Sequence, residues 1–355
     1  MVTRAAAIAG GANSGLVPAY GARHLLITDF DGTVTAFDTT QCVPHLAAHC
    51  SPVRAEFILS SFERLEDSYL SQLAQCKLEM RAEREAAAAA AAADSCQHFD
   101  AAGLEAVLTK MDSVSNTITE DLSQSGILAG ISSARVAPAL DEWRVEPNAA
   151  PCKVPPLREG CEAALSSALA CGWGCGILSL NWCPPLIHAL LPLLARAGDA
   201  QLAGVWCNSI DEASGRVRNE VDGAVAKRVV IQGLVQEAVQ EAEAEAEAEA
   251  EAEAEAEANV AAVASEEGTA PPPQRRVVVY VGDSATDLLA MLAADVGILI
   301  GESGSAREVA GAFGVRVRPL EGQRLEGLCA GAEDVVWEAQ SWQEIQACLL
   351  AADAS

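Results

Sequence analysis

The segment His24-Leu25-Leu26-Ile27-Thr28-Asp29-Phe30-Asp31-Gly32-Thr33-Val34-Thr35 places two carboxylates, with one residue between them, directly after a short apolar run. A buried parallel strand reads as such a run, and in open α/β sheets chemistry collects at the carboxyl ends of the strands. Two acids crowded at that edge repel each other, a cost that a cation or a proton relieves. The pair points to metal-assisted acid/base chemistry. A second pair, Asp283 and Asp287, follows the β-branched run Val277-Val-Val-Tyr-Val281 and Gly282. A helix dipole favours one acid at such a position, but two crowded together again call for a cation. Between the two pairs lie a strand-end serine, Ser179 after Gly176-Ile177-Leu178, and a lysine early in a helical stretch, Lys227.

Each feature alone has an ordinary reading. Asp-Gly is a common turn, a strand-end Ser serves turn chemistry, and a helix Lys is usually solvated. Their order along one chain is what resembles the haloacid dehalogenase superfamily. That resemblance implies a Rossmann-like parallel sheet and a Mg²⁺-dependent phosphomonoesterase. It implies that Asp29 is the nucleophile, forming an aspartyl-phosphate, and that Asp31 is the general acid and then the base. Ser179 and Lys227 would hold the transferring phosphoryl. Asp29, Asp31 (through its backbone carbonyl), Asp283 and Asp287 would form the Mg²⁺ side, with Asp287 orienting either Lys227 or a metal-bound water. Asp31, Thr33 and Thr35 favour the phosphatase branch over the dehalogenases, which lack the second Asp.

A finer resemblance lies in Ser179-Leu-Asn-Trp-Cys183, Val281 to Leu289, Ala294 to Gly301 and Ser341-Trp-Gln-Glu-Ile345. These stretches are similar to phosphatase domains that act on thiamine monophosphate in plants, with Asn181 where those domains have Ser. The expected substrate is a small phosphorylated metabolite, with thiamine monophosphate favoured. A sugar or amino-acid phosphate, or a catalytically silent binding role on the same fold, stays open.

These residues need a sheet to position them. Short apolar runs at Gly176–Leu180, Ala203–Cys207, Val277–Val281, Val296–Ile300 and Val315–Val317 predict strands. Amphipathic stretches at Leu157–Ala170, Pro184–Ala195, Ala285–Leu292 and Ser303–Ala312, and one from Ala224 onward, predict helices. Gly215–Asn219 reads as a hairpin arm. Alternating strands and helices imply a parallel α/β sheet. Residues 38–156 interrupt the pattern and predict a helical cap over the catalytic edge, able to exclude water. Within it, helices are expected over Ser51–Gln75, Asp100–Lys110 and Glu120–Ile131, a poly-Ala insertion over Arg81–Ala93, and a Pro-rich linker over Pro138–Pro156. Glu63, Glu66 and Asp67 could face a cationic substrate or simply form a solvated helix face. The expected core is 23–37 with 157–355. It is interrupted at 241–274 by a low-complexity insertion whose Glu-Ala repeats read as a solvated loop, helical at times.

Composition narrows the class. The 355 residues are 50% hydrophobic with a formal net charge of -27, nine of the negative charges lying in the Glu-Ala pairs from 241 to 258. Such acidity argues against nucleic-acid and anionic-membrane partners. No apolar run is long enough to span a membrane. The 12 Cys include no Cys-x-x-Cys pair and read as reduced, buried thiols. Residues 1–22 contain no acid and read as a disordered tail or a weak transit peptide, so the expected location is cytoplasmic, with a plastid or mitochondrial alternative.

Overall fold

The structure, a computed structural model, describes residues 22–90, 98–148, 150–193, 202–259, 275–329 and 333–350. The transit-peptide reading falls almost wholly on residues 1–21, outside the described residues. Among the described residues nine strands form: β1 (Leu25–Thr28), β2 (Gly174–Leu178), β3 (Leu202–Trp206), β4 (Ser209–Ile210), β5 (Val217–Arg218), β6 (Val278–Gly282), β7 (Val296–Ile300), β8 (Arg316–Pro319) and β9 (Val335–Ala339). Seven of them make one sheet in the order β3-β2-β1-β6-β7-β9-β8. Every pairing in it is parallel. The arrangement is a Rossmann-like α/β fold.

β1 shows why these residues form a central strand. Leu25 and Ile27 enter the core on one face of the sheet and Leu26 the core on the other, so all must be apolar. β1 sits between β2 and β6, where the strand order reverses direction. This switch point opens a crevice at the carboxyl edge, and it is where Asp29 and Asp283 follow their strands.

Between β1 and β2 lie helices Cys42–Cys50, Ala55–Ala90, Ala101–Ser125, Ser133–Val145 and Cys161–Ala170. The first four lie in the insert, whose two connections touch: Thr35 bridges Leu157, and Ala36 N–H donates to Pro156 O at 2.9 Å.

Several elements differ from the expectations. The two short helices expected over 100–110 and 120–131 are one, Ala101–Ser125, capped by Asp100 and ended by left-handed Gly126. Across the stretch between the two expected helices, Thr117 and Thr119 donate back to the carbonyls of Ser113 and Ser115, so their hydroxyls are satisfied within the helix. The linker expected from Pro138 begins only after the Ser133–Val145 helix, which contains that proline. Burial of Val136, Ala139, Leu140 and Trp143 on one face outweighs one lost backbone hydrogen bond. The poly-Ala stretch continues helix Ala55–Ala90 to its end. The Glu-Ala tract, expected as a loop, prolongs helix Ala224–Asn259, since adding favourable residues to an existing helix needs no new nucleus; residues 260–274 lie outside the described residues. β8, expected as the last strand, is the exposed edge, and β9 inserts between it and β7. The Gly215–Asn219 arm is β5, paired antiparallel with β4. The described cysteines are free thiols. Among the described residues no helix is long and apolar enough to cross a membrane.

Candidate active site

Four carboxylates and a lysine converge at the switch point. Asp29 follows β1, its N–H donating to Val281 O at 2.8 Å. Lys227, in the first turn of helix Ala224–Asn259, is 1% exposed and Asp29 5%. Its Nζ reaches Asp29 Oδ1 at 2.9 Å and Asp287 Oδ1 at 2.7 Å. Burial alone would pull the ammonium pKa down, but Asp287 and Asp29 hold it above its ordinary value.

The four acids have different surroundings. Burial pushes Asp29 well above the usual carboxylate range, against the pull of Lys227. Burial acts on Asp287 the same way, but Lys227 wins and holds it below that range. Its other donors are Tyr280 Oη at 2.7 Å, and Ser284 through Oγ at 2.7 Å and N–H at 3.0 Å. Both oxygens of Asp287 are thus taken, and its place is that of a holder of Lys227. Asp283 accepts from Thr33 Oγ1 at 3.0 Å and is pushed up to about 7 by burial and by Asp287. Gly32, with φ 72°, lets Asp283 approach, since a Cβ there would lie 2.4 Å from Oδ2.

Asp31 stands apart from this group. Its Oδ1 accepts from Thr39 N at 2.7 Å and its Oδ2 from Asn181 Nδ2 at 2.8 Å. Burial and Asp38 raise its pKa, and the bonds from Thr39 and Asn181 restrain the rise. Two carboxylates two residues apart are therefore held in separate environments, the condition for separate acid/base roles. Ser179, buried just past β2, accepts on Oγ from Asn181 N at 3.2 Å.

Asp29, Asp283 and Asp287 each bring a carboxylate oxygen within 4.8 Å of the others. Asp31, expected at the metal through its backbone carbonyl, has its carboxylate turned toward Thr39 and Asn181 and outside this cluster. The hard oxygen donors and the raised pKa of Asp283 suit a hard divalent cation. Without such a cation the folded chain keeps a proton on Asp283 between about pH 4 and 7 that the unfolded chain has released. Stability from this group therefore falls as pH rises through that window. Magnesium should raise the melting temperature more at pH 8 than at pH 5; equal shifts in thermal melts would remove Asp283 from the metal site.

Sequence reasoning missed several supports. Tyr280 was legible in principle, as a lone phenol in a β-branched strand must find a partner when buried. Trp342 Nε1 donates to Thr33 O at 2.9 Å, tying the C-terminal helix Trp342–Leu350 to the loop after Asp31. Arg158 donates to Gly32 O on the same loop. Thr39 carried no signal. Asn181, a departure from Ser expected to alter contacts near the leaving group, is a direct partner of Asp31. Its removal by Asn181→Ala should raise the Asp31 pKa further and move the alkaline limb of the kcat/KM profile to higher pH. An unmoved limb would separate Asp31 from the proton that limb reports.

Fold and site together define a class: a Rossmann-like α/β chain with a parallel sheet and a cluster of buried acids around a lysine at its switch point. A scan against models of known protein families finds no match. The chain is 36% identical over 83 residues to the bifunctional TH2 protein, mitochondrial, of Arabidopsis thaliana. That match spans 20% of this chain and 14% of the relative's length. Among solved structures, a phospho-aspartyl intermediate analogue of phosphoserine phosphatase is 12% identical with a TM-score of 0.41, covering 91% of this chain and 97% of the other. A protein of unknown function from Bordetella pertussis Tohama I is 14% identical with a TM-score of 0.43, covering 82% and 96%.

Proposed function

We propose that the chain is a phosphomonoesterase that works through an aspartyl-phosphate on Asp29. The observation that carries this reading is the split between Asp29, buried against Lys227, and Asp31, held separately by Thr39 and Asn181. Asp29 attacks phosphorus, and the P–O bond to the leaving alkoxide breaks as Asp31 gives that oxygen a proton. Asp31, now ionised, takes a proton from the water that cleaves the acyl phosphate. Lys227 and Ser179 hold the phosphoryl oxygens, since such a transfer is catalysed mainly by positioning and electrostatics. Asp29, Asp283 and the Asp31 carbonyl would hold Mg²⁺, which when bound offsets the repulsion between an anionic nucleophile and an anionic ester. Asp287, with its oxygens taken by Lys227, Tyr280 and Ser284, fixes the lysine.

Residues 38–156 form the cap in this reading and enclose a small substrate. The resemblance of Ser179–Cys183, Val281–Gly301 and Ser341–Ile345 to phosphatase domains acting on thiamine monophosphate supports that substrate. The test is hydrolysis of an aryl phosphate with and without Mg²⁺, followed by a panel of phosphorylated metabolites. No turnover of any ester would sink the phosphatase reading; turnover without preference for thiamine monophosphate would sink only the substrate.

A further inference from the structure

Helix Ala101–Ser125 of the insert carries a polar stripe that the chemistry above does not use. Glu105, Asp112, Asn116 and Ser123 are spaced seven, four and seven residues apart, which puts them on one helix face. Three of them bind the segment that leads into Lys227, and Glu105 binds Arg228 just after it. Ser123 Oγ accepts from Val217 N at 3.0 Å, and Asn116 Nδ2 donates to Asp222 O at 2.8 Å. Asp112 Oδ2 accepts from Ala224 N at 2.9 Å, and Glu105 takes both terminal nitrogens of Arg228 at 2.7 and 2.8 Å.

The Asp112 contact has a specific meaning. Ala224 is the first residue of the helix whose first turn holds Lys227. The first N–H groups of a helix lack partners within it and are normally satisfied by an N-cap side chain. The residue before Ala224 is Gly223, which has no side chain to offer. A Cβ at Gly223 would lie 2.2 Å from the Asp112 carboxylate. Asp112 thus occupies the space that an N-cap side chain would fill, and it does so from another helix. It is buried, like Lys227.

We infer that Asp112 is a positioning residue for Lys227: a helix cap supplied by the insert fixes the turn that presents the ammonium to Asp29 and Asp287. The insert then does more than cover the site. Any motion that lifted helix Ala101–Ser125 away would uncap the turn of Lys227. The inference deepens the phosphatase reading and rests on it for its kinetic consequence, but the positioning itself can be read without turnover.

The chain has four lysines, Lys77, Lys110, Lys153 and Lys227. Acetylation of the whole protein by acetic anhydride, followed residue by residue by mass spectrometry, reads the accessibility of Lys227 against the other three. Asp112→Ala should speed Lys227 labelling ~10-fold, the size of a lost helix cap, with Lys77 and Lys153 unchanged. Asp112→Asn, which keeps a capping oxygen, should restore most of the protection. Should Asp112→Ala fail to fold, Asp112→Asn and Asp112→Ser carry the comparison, since both residues cap helices well and should protect Lys227. Lys227 labelling at the wild-type rate in Asp112→Ala, or Asp112→Asn and Asp112→Ser fully unprotected in soluble, folded protein, overturns the inference. With an aryl phosphate, kcat of Asp112→Ala should fall ~10- to 100-fold, the cost of a misplaced group, with KM changing less. A wild type without turnover defeats the phosphatase reading and leaves the labelling to judge Asp112.

Discussion

Asp29→Asn should lose turnover of every phosphomonoester by ~10⁴-fold or more, the order seen when a covalent nucleophile is removed, while the protein folds at least as well as wild type. The two halves of this result come from one geometry. Asp29 is buried among Asp287, Asp283 and Asp31, and its pKa is driven up by burial first and by those neighbours after it. Ionised, it costs the folded state; only Lys227 at 2.9 Å offsets that cost. Asn keeps the shape, removes the charge, and leaves Lys227 paired with Asp287 at 2.7 Å. Catalytic carboxylates held in this way trade stability for reactivity. The measurement is a pair: initial rates with an aryl phosphate and Mg²⁺, and the urea midpoint of the same preparation. In wild type, denaturation of a sample quenched during turnover should leave a phosphate-sized mass on the Asp29 peptide, absent from the variant. Full turnover in Asp29→Asn would remove Asp29 from its role, and a collapse of stability with partial turnover would make it a structural residue.

The reacting groups were legible in the sequence because each sits at a place where local pattern and chemistry coincide. Asp29, Asp31, Ser179 and Asp283 all follow strands whose residues are apolar for a simple reason, burial on both faces of a parallel sheet. The crowding of acids at those ends has no packing rationale, so it stands out. Lys227 is the exception: it has no such local mark, since a lysine early in a helix is usually solvated, and only its order among the other motifs singles it out. What positions these residues was harder to read. Thr39 binds Asp31 through a backbone N–H, which any residue but proline offers. Asn181 and Asp112 act across 150 and 112 positions of chain, to Asp31 and Ala224 respectively, and no local period encodes such contacts. The polar stripe around Asp112 is explained by contacts distant in sequence: Ser123, Asn116 and Asp112 meet backbone groups of Val217, Asp222 and Ala224, and Glu105 meets the Arg228 side chain. β9 carried no strand expectation, and its place beside β7 depends on the edge strand β8 arriving first in sequence and last in space.

Lys227→Met tests the electrostatic half of the site. Met matches the length of the stem and removes the ammonium, leaving Asp29 and Asp287 buried without their cation. Breaking a buried ion pair from one side costs about 3–5 kcal/mol, and the variant should lose that much in urea titrations at pH 8. The pH dependence gives the sign. In wild type Lys227 holds Asp287 below its ordinary value, so that group adds stability above about pH 4, which is lost as pH falls through its folded pKa. With Lys227 gone, burial dominates, and both acids shift above the range they have in the unfolded chain. The folded variant then binds more protons than the unfolded chain, and its stability falls as pH rises above about 4. The deficit of Lys227→Met should therefore be large at pH 8 and shrink toward pH 4, and Mg²⁺ should restore part of it at pH 8 by supplying positive charge beside Asp29. Lys227→Arg would keep the charge but overfill a site in which the lysine is 1% exposed, so its deficit should depend little on pH. A Lys227→Met deficit equally independent of pH would show that Lys227 acts through volume, and the division between an attacking and a proton-moving carboxylate would lose the cation on which it depends.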